Sequence, residues 1–229
     1  MDFSGKHVVV TGGSGALGTA VVGALLKAGA TCTIPYVHEA EAQRFPHGGD
    51  PNVKLIAVTD LADEAVVAKV YDGLQLWASI HIAGGFAPGK VAETGLAALM
   101  AQIDSNLVSC FLCCRTAVKA MAAGGRIVNV AARPALEWRS GAGMTAYTVA
   151  KAGVAALTVA LAEEVAKDGI LVNAVAPSIM DTAANRKAMP KANFDAWPKV
   201  EEVAATIVFL ASPDNRVTRG AIVPVYGKS

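Results

Sequence analysis

Charge is scarce in this chain. Only 17% of its 229 residues are charged, and the formal net charge is +1. With no block of Lys or Arg, the electrostatic footprint of a nucleic-acid or anionic-membrane binder is missing, so the expected partner is a small molecule. Cysteine is scarcer still: Cys32, Cys110, Cys113 and Cys114 are too few and too clustered for a disulfide framework and read as reduced thiols. Cys110 and Cys113 form a C-x-x-C, but the stretch 106–121 around it has the texture of an apolar helix interior, which points to packing rather than redox chemistry. His7, His38, His47 and His81 are scattered, with no i, i+4 pair and no carboxylate cluster nearby, so no catalytic metal is expected. Long apolar runs are also lacking: none approaches the roughly 20 residues that span a bilayer. The opening Met1-Asp2-Phe3-Ser4 leads straight into a strand without a signal-peptide pattern. A cytoplasmic protein is expected.

What is present is apolar residue, 53% of the chain, enough to bury one sizeable core. Short β-rich runs at 7–11, 30–36, 53–58, 78–83, 126–130, 170–175 and 221–225 alternate with helical patterns at 16–28, 62–73, 96–122, 143–167 and 200–211. The strands read as continuous apolar runs, as in His7-Val8-Val9-Val10 and Arg126-Ile127-Val128-Asn129-Val130. Strands buried on both faces look like this, because crossover helices cover both sides of a parallel sheet. The expectation is an α/β, single-domain Rossmann fold over 1–229, with a doubly wound parallel sheet of about seven strands. Ser178 to Pro198, with two prolines, several charges, Phe194 and Trp197, suits a mobile flap over a site.

Thr11-Gly12-Gly13-Ser14-Gly15-Ala16-Leu17-Gly18 follows the first strand and opens the first helix. Glycines there allow a tight turn and close approach to a pyrophosphate, and the helix N-terminus offers free N–H groups. Gly12, Ser14, Ala16, Leu17 and Gly18 are therefore cofactor-binding candidates for NAD(P)H. At the end of the second strand, where a carboxylate would select NAD, stands Tyr36-Val37-His38, which tilts the preference slightly to NADPH. Asp60 and Leu61 fit an adenine contact, with Asp60 also placed to cap a helix. Tyr147 and Lys151, spaced i, i+4, share one helix face. A nearby ammonium favours a phenolate and brings the phenol closer to working pH.

Together with Ala83-Gly84, Asn106, Asn173 and Pro177 with Thr182, these residues make the chain similar to the short-chain dehydrogenase/reductase superfamily over nearly its whole length. The resemblance implies that Tyr147 is the acid/base group, that Lys151 holds the nicotinamide ribose and tunes Tyr147, and that Asn106 holds a proton-relay water. It implies cofactor contacts from Ala83, Gly84 and Gly85, and from the Pro177–Thr182 loop with Ile179. The family's habit, and the apolar content of the helices at 104–122 and 143–167, suggest a homodimer or homotetramer.

Two departures narrow the resemblance. The usual Ser after the fifth strand is replaced by Ala131-Ala132-Arg133, with Ser140 and Thr145 further along as possible substitutes, and His81-Ile82 stands where the family commonly has two asparagines. Ala83-Gly84-Gly85-Phe86 and Asp181-Thr182-x-x-Asn185-Arg186-Lys187-x-Met189-Pro190 resemble the dihydropteridine reductase branch. That branch also works without the serine, and its quinonoid substrate accepts hydride into a conjugated ring. The alternatives are a carbonyl reductase or alcohol dehydrogenase with a replaced Ser, and a dinucleotide sensor without turnover.

Overall fold

The computed structural model of the chain describes residues 1–122 and 124–229. Seven strands, β1 (His7–Thr11), β2 (Thr31–Tyr36), β3 (Val53–Ala57), β4 (Leu76–His81), β5 (Arg126–Val130), β6 (Leu171–Pro177) and β7 (Ile222–Val225), form one sheet. Its order is β3-β2-β1-β4-β5-β6-β7 and every pairing is parallel. The chain is thus a doubly wound Rossmann-type α/β fold, as the alternation of runs implies. The order reverses between β1 and β4, so the crevice at their carboxyl ends is the place where such a sheet binds ligand. Thr11 closes that junction, its carbonyl accepting from the amides of Ile82 at 3.1 Å and Ala83 at 3.2 Å.

Although the strand runs are continuously apolar, alternate residues serve two different cores. Val8, Val10, Ile34, Ile80 and Val128 pack under α1 (Ala16–Lys27) and α8 (Val200–Ala211). Val9, Ile127 and Val172 pack under α3 (Glu64–Tyr71), α5 (Ser109–Ala120) and α6 (Thr145–Glu164). Each fully buried Val or Ile contributes roughly 1.5–3 kcal/mol, so the two layers hold the sheet rigidly between them.

The helices depart from the sequence reading in four places. A short helix α2 (Glu39–Arg44) follows β2 and carries two glutamates in its first turn. The stretch expected as one helix over 96–122 is α4 (Leu96–Ile103), a π-helical segment over Asp104–Val108, and α5. Leu96–Ala120 and Thr145–Glu164 are, contrary to expectation, long and apolar enough to cross a membrane, with mean hydropathy 1.5 and 1.4. They instead pack on the sheet. The run 178–198 is stitched down: Asp181 accepts from Arg186 Nε at 2.5 Å and Nη2 at 2.7 Å, and α7 (Ala183–Ala188) is followed by Trp197, buried against Phe194.

Candidate active site

The glycine-rich turn is built as a cradle. Gly12 has φ +68°, a conformation other residues rarely adopt, and a Cβ there would lie 2.7 Å from the Ala83 amide nitrogen. A Cβ on Gly18 would lie 2.1 Å from the Gly12 carbonyl oxygen and 2.5 Å from Gly13 Cα. Helix α1 starts after Gly15 with no side-chain cap and no acidic residue in its first turn. The amides at Ala16, Leu17 and Gly18 are therefore left for an anion, as a pyrophosphate requires. Ser14 donates to Glu41 at 3.3 Å and Tyr36 donates to Glu39 at 3.1 Å. Sequence reading saw no carboxylate at the end of β2; α2 brings two to its margin. Asp60 accepts from the Ala62 amide at 2.8 Å in the turn before α3, but the helix cap foreseen for it falls to Asp63, which accepts from the Ala65 and Val66 amides; Leu61 is buried in the second core.

At the carboxyl ends of β1, β4, β5 and β6 lies a cleft of about 200 Å³. It is lined by Gly84, Gly85, Phe86, Asn106, Tyr147 and Lys151 together with Leu17, Ile82, Val130, Ala131, Ala132, Pro177, Ser178 and Met180. The three residues singled out for catalysis thus meet, although 45 positions separate Asn106 from Lys151. The π segment places Asn106, which is buried: its Nδ2 donates to Gly85 O at 2.9 Å and Gln102 O at 3.0 Å. Its Oδ1 has no partner among the described residues. A Cβ on Gly84 would sit 2.4 Å from that oxygen and 3.4 Å from Lys151 Nζ, so a glycine there keeps open the space both polar atoms face. Lys151 is buried and donates to Val130 O at 2.8 Å.

Electrostatics differ from the sequence expectation at Tyr147. Burial pushes its phenol up to about 12, whereas a lysine-lowered value was anticipated. The ammonium is spent on Val130 O and lies 5.9 Å from the centre of the phenol ring, while desolvation acts on Tyr147 without opposition. Burial also pulls the Lys151 ammonium down to about 8, with Cys110 acting the other way. Tyr147 is thus held as a phenol, a proton donor. Phe86 stands edge-on to Tyr147, ring centres 5.1 Å apart.

Several anticipated site residues lie outside the cleft lining. Ile179 is exposed and Thr182 caps α7, accepting from the Asn185 amide at 3.1 Å; neither lines the cleft. Ser140 donates to Glu137 O at 2.8 Å on the surface and Thr145 is exposed at the start of α6, so neither replaces the missing serine. A hydroxyl that sequence reading missed, Ser178, does line the cleft, but it donates to Tyr226 O at 2.9 Å. Only the return of the C-terminal strand reveals it.

Behind the cleft, on the α5 face of the sheet, is a second polar group. His81 Nδ1 lies 2.8 Å from Asn129 Oδ1, and the Cys110 and Cys114 sulfurs donate to the same oxygen at 3.4 and 3.5 Å. The hydrogen bond from Cys114 draws the Cys110 thiol below the ordinary range, while the same pairing and burial push Cys114 up. The scattered histidines of the sequence gave no sign of this grouping.

A family model described as enoyl-(acyl carrier protein) reductase matches residues 13–227. Galactitol 2-dehydrogenase of Rhizobium johnstonii is 33% identical, covering 97% of this chain and 94% of its own. Dihydropteridine reductase of Dictyostelium discoideum is 30% identical, covering 98% and 96%. The solved structure of ElxO with NADP bound superposes with a TM-score of 0.87 at 27% identity, covering 97% of each chain. With that match joined to a nucleotide cradle and a Tyr147–Lys151–Asn106 centre on a doubly wound sheet, the chain belongs to the short-chain dehydrogenase/reductase superfamily. It is an NAD(P)-dependent oxidoreductase of that group.

Proposed function

We propose that the enzyme reduces a small, planar, conjugated acceptor of the quinonoid dihydropterin type, at the expense of NAD(P)H. The observation that carries this reading is that Val130, Ala131 and Ala132, which line the cleft with Tyr147, present no side-chain hydrogen-bond donor. A ketone needs its oxygen polarised as hydride arrives, and one well-placed donor supplies about 3 kcal/mol. A conjugated ring spreads the incoming charge over itself and needs only the proton. The Phe86 edge beside Tyr147 gives such a ring an aromatic surface. The bound nicotinamide supplies the hydride. Tyr147 would donate the accompanying proton, Lys151 would hold the cofactor ribose, and Asn106 Oδ1 would hold a water that returns the proton. Phenol rather than phenolate on Tyr147 suits the reductive direction.

The dihydropteridine reductase among the relatives supports this reading, and the galactitol dehydrogenase supports the alternative of an alcohol or carbonyl substrate. A polyol would find few hydrogen-bonding side chains on the Ala131–Ala132 wall. Solved relatives bound to NADP support NADPH as the reductant; Glu39 and Glu41 stand where NAD would be the easier fit. Four unpaired thiols suit the reducing cytoplasm.

The test uses a panel of quinonoid pterins, quinones and ketones, each with NADH and NADPH, on wild type and Ala132→Ser. Wild-type turnover should be fastest with the pterin, and the added hydroxyl should raise kcat/KM for ketones by up to about 100-fold while leaving the pterin rate nearly unchanged. Faster wild-type turnover of ketones would overturn the assignment.

A further inference from the structure

The buried group behind the cleft gathers one histidine nitrogen, two cysteine sulfurs and an amide oxygen at close to metal-ligand spacing. We propose that His81, Cys110, Cys114 and Asn129 bind one zinc ion as a structural centre, separate from the chemistry of the cleft.

Geometry comes first. A tetrahedral zinc with bonds of about 2.3 Å to sulfur and about 2.0 Å to nitrogen or oxygen sets its sulfur-to-nitrogen and sulfur-to-oxygen edges at about 3.5 Å. Here Cys114 Sγ lies 3.5 Å from His81 Nδ1, and the two sulfurs lie 3.4 and 3.5 Å from Asn129 Oδ1. The histidine nitrogen and both sulfurs are all within 4.8 Å of one another. The His81–Asn129 edge, 2.8 Å, is shorter than the other printed edges and must open to admit the ion.

The orientation of each donor is set by its surroundings. Thr158 donates to Val154 O at 2.7 Å, so its oxygen accepts from Asn129 Nδ2 at 2.9 Å. The Asn129 carbonyl is therefore the end that faces the cysteines. On the far side of the imidazole, Nε2 meets Ser79 Oγ at 2.7 Å, and Ser79 meets Tyr71 OH at 2.8 Å. A metal-bound histidine wants such an acceptor for its second N–H. Without a cation, the Cys110 and Cys114 thiols and the His81 Nδ1 atom all crowd one amide oxygen that has two lone pairs.

Charge balances as well. Cys110 and Cys114 each release a proton on binding, and two thiolates with one dication and two neutral ligands sum to zero. Neutrality is what a fully buried site requires. Four protein ligands leave no open position, so the ion would tie β4 and β5 to α5 without joining the reaction.

The experiment refolds the full chain with zinc, with cobalt, or with a chelator, and follows each by metal analysis, absorption and thermal melting. Wild type should retain one metal per chain after dialysis, show sulfur-to-cobalt charge transfer with four-coordinate ligand-field bands, and melt about 10 °C higher with zinc than with chelator. Two variants accompany it. Cys114→Ser removes a sulfur, and His81→Asn installs a residue that the family commonly carries there, so the latter should fold. Both should lose the stoichiometric metal and the zinc-dependent rise in melting. Wild type with well under one metal per chain and no change in melting would overturn the proposal, as would a His81→Asn protein that holds metal as tightly as wild type. Substrate turnover is not a readout here, so failure leaves the reductase reading untouched.

Discussion

Tyr147 and Lys151 show how one desolvation penalty shifts two neighbouring groups in opposite directions. The phenol is driven to its neutral form by burial, and the ammonium is held charged at neutral pH against the same desolvation. If Tyr147 supplies the proton, Tyr147→Phe should lower kcat by about 10²- to 10⁴-fold, with cofactor affinity, read by fluorescence titration, little changed. An unaltered rate would remove Tyr147 from the mechanism. For Lys151 the folded value of about 8 lies below that of a free lysine, so folding disfavours its proton. The penalty, about 3 kcal/mol, is complete below pH 8 and fades as pH climbs toward about 10.4, the free value. Lys151→Met should therefore abolish most activity yet raise the melting midpoint at pH 7 by about 5 °C or more. That advantage should shrink between pH 8 and 10; a variant less stable than wild type at pH 7 would contradict the argument.

Among the elements, the β1–α1 turn and the π segment do most to make the site. Reading Gly18 only as room for a pyrophosphate is too narrow, because a Cβ there would strike the backbone of Gly12 and Gly13. Gly15 differs: its φ is −76°, and a Cβ would find only the Gly12 carbonyl at 3.4 Å. Gly18→Ala should lower both the melting midpoint and cofactor affinity. Gly15→Ala should leave the midpoint within about 2 °C, and any loss of affinity it shows reports on the phosphate alone. Equal melting of the two variants would show that the turn relaxes around either methyl group. The π segment, expected as plain helix, has no mark in local composition. An inserted residue per turn is stabilised by what the rotated side chains meet, here Gly85 O for Asn106.

For the whole molecule, the two long apolar helices are the open account. Leu96, Met100 and Phe111 on α4 and α5, and Val149 and Val159 on α6, are exposed although they lie on elements that cover the sheet. The two cores leave that apolar surface uncovered, and a second copy of the chain would cover it. Wild type should sediment as a dimer or tetramer at micromolar concentration. Phe111→Glu, which puts a charge at a half-exposed position away from the cleft, should shift it toward monomer while cofactor binding persists. A wild-type monomer would defeat the expectation of self-association.

What the sequence by itself determined is whatever depends on near neighbours along the chain. The strand runs, the glycine turn opening α1 and the i, i+4 pair of Tyr147 and Lys151 are local patterns, and from them the doubly wound sheet and the nucleotide end of the site follow. Tertiary structure decided everything that hangs on side chains brought together from distant segments. Glu41 reaches Ser14 only through α2, Ser178 enters the cleft because the C-terminal residues return beside it, and Ser140 and Thr145 stay outside. Burial reversed the expected shift of Tyr147, because desolvation depends on what packs around a phenol and not on what lies four residues away. His81 joined Cys110 and Cys114 for the same reason: parallel strands β4 and β5 and helix α5 set their side chains on one face of the sheet, a meeting that no spacing in the chain encodes.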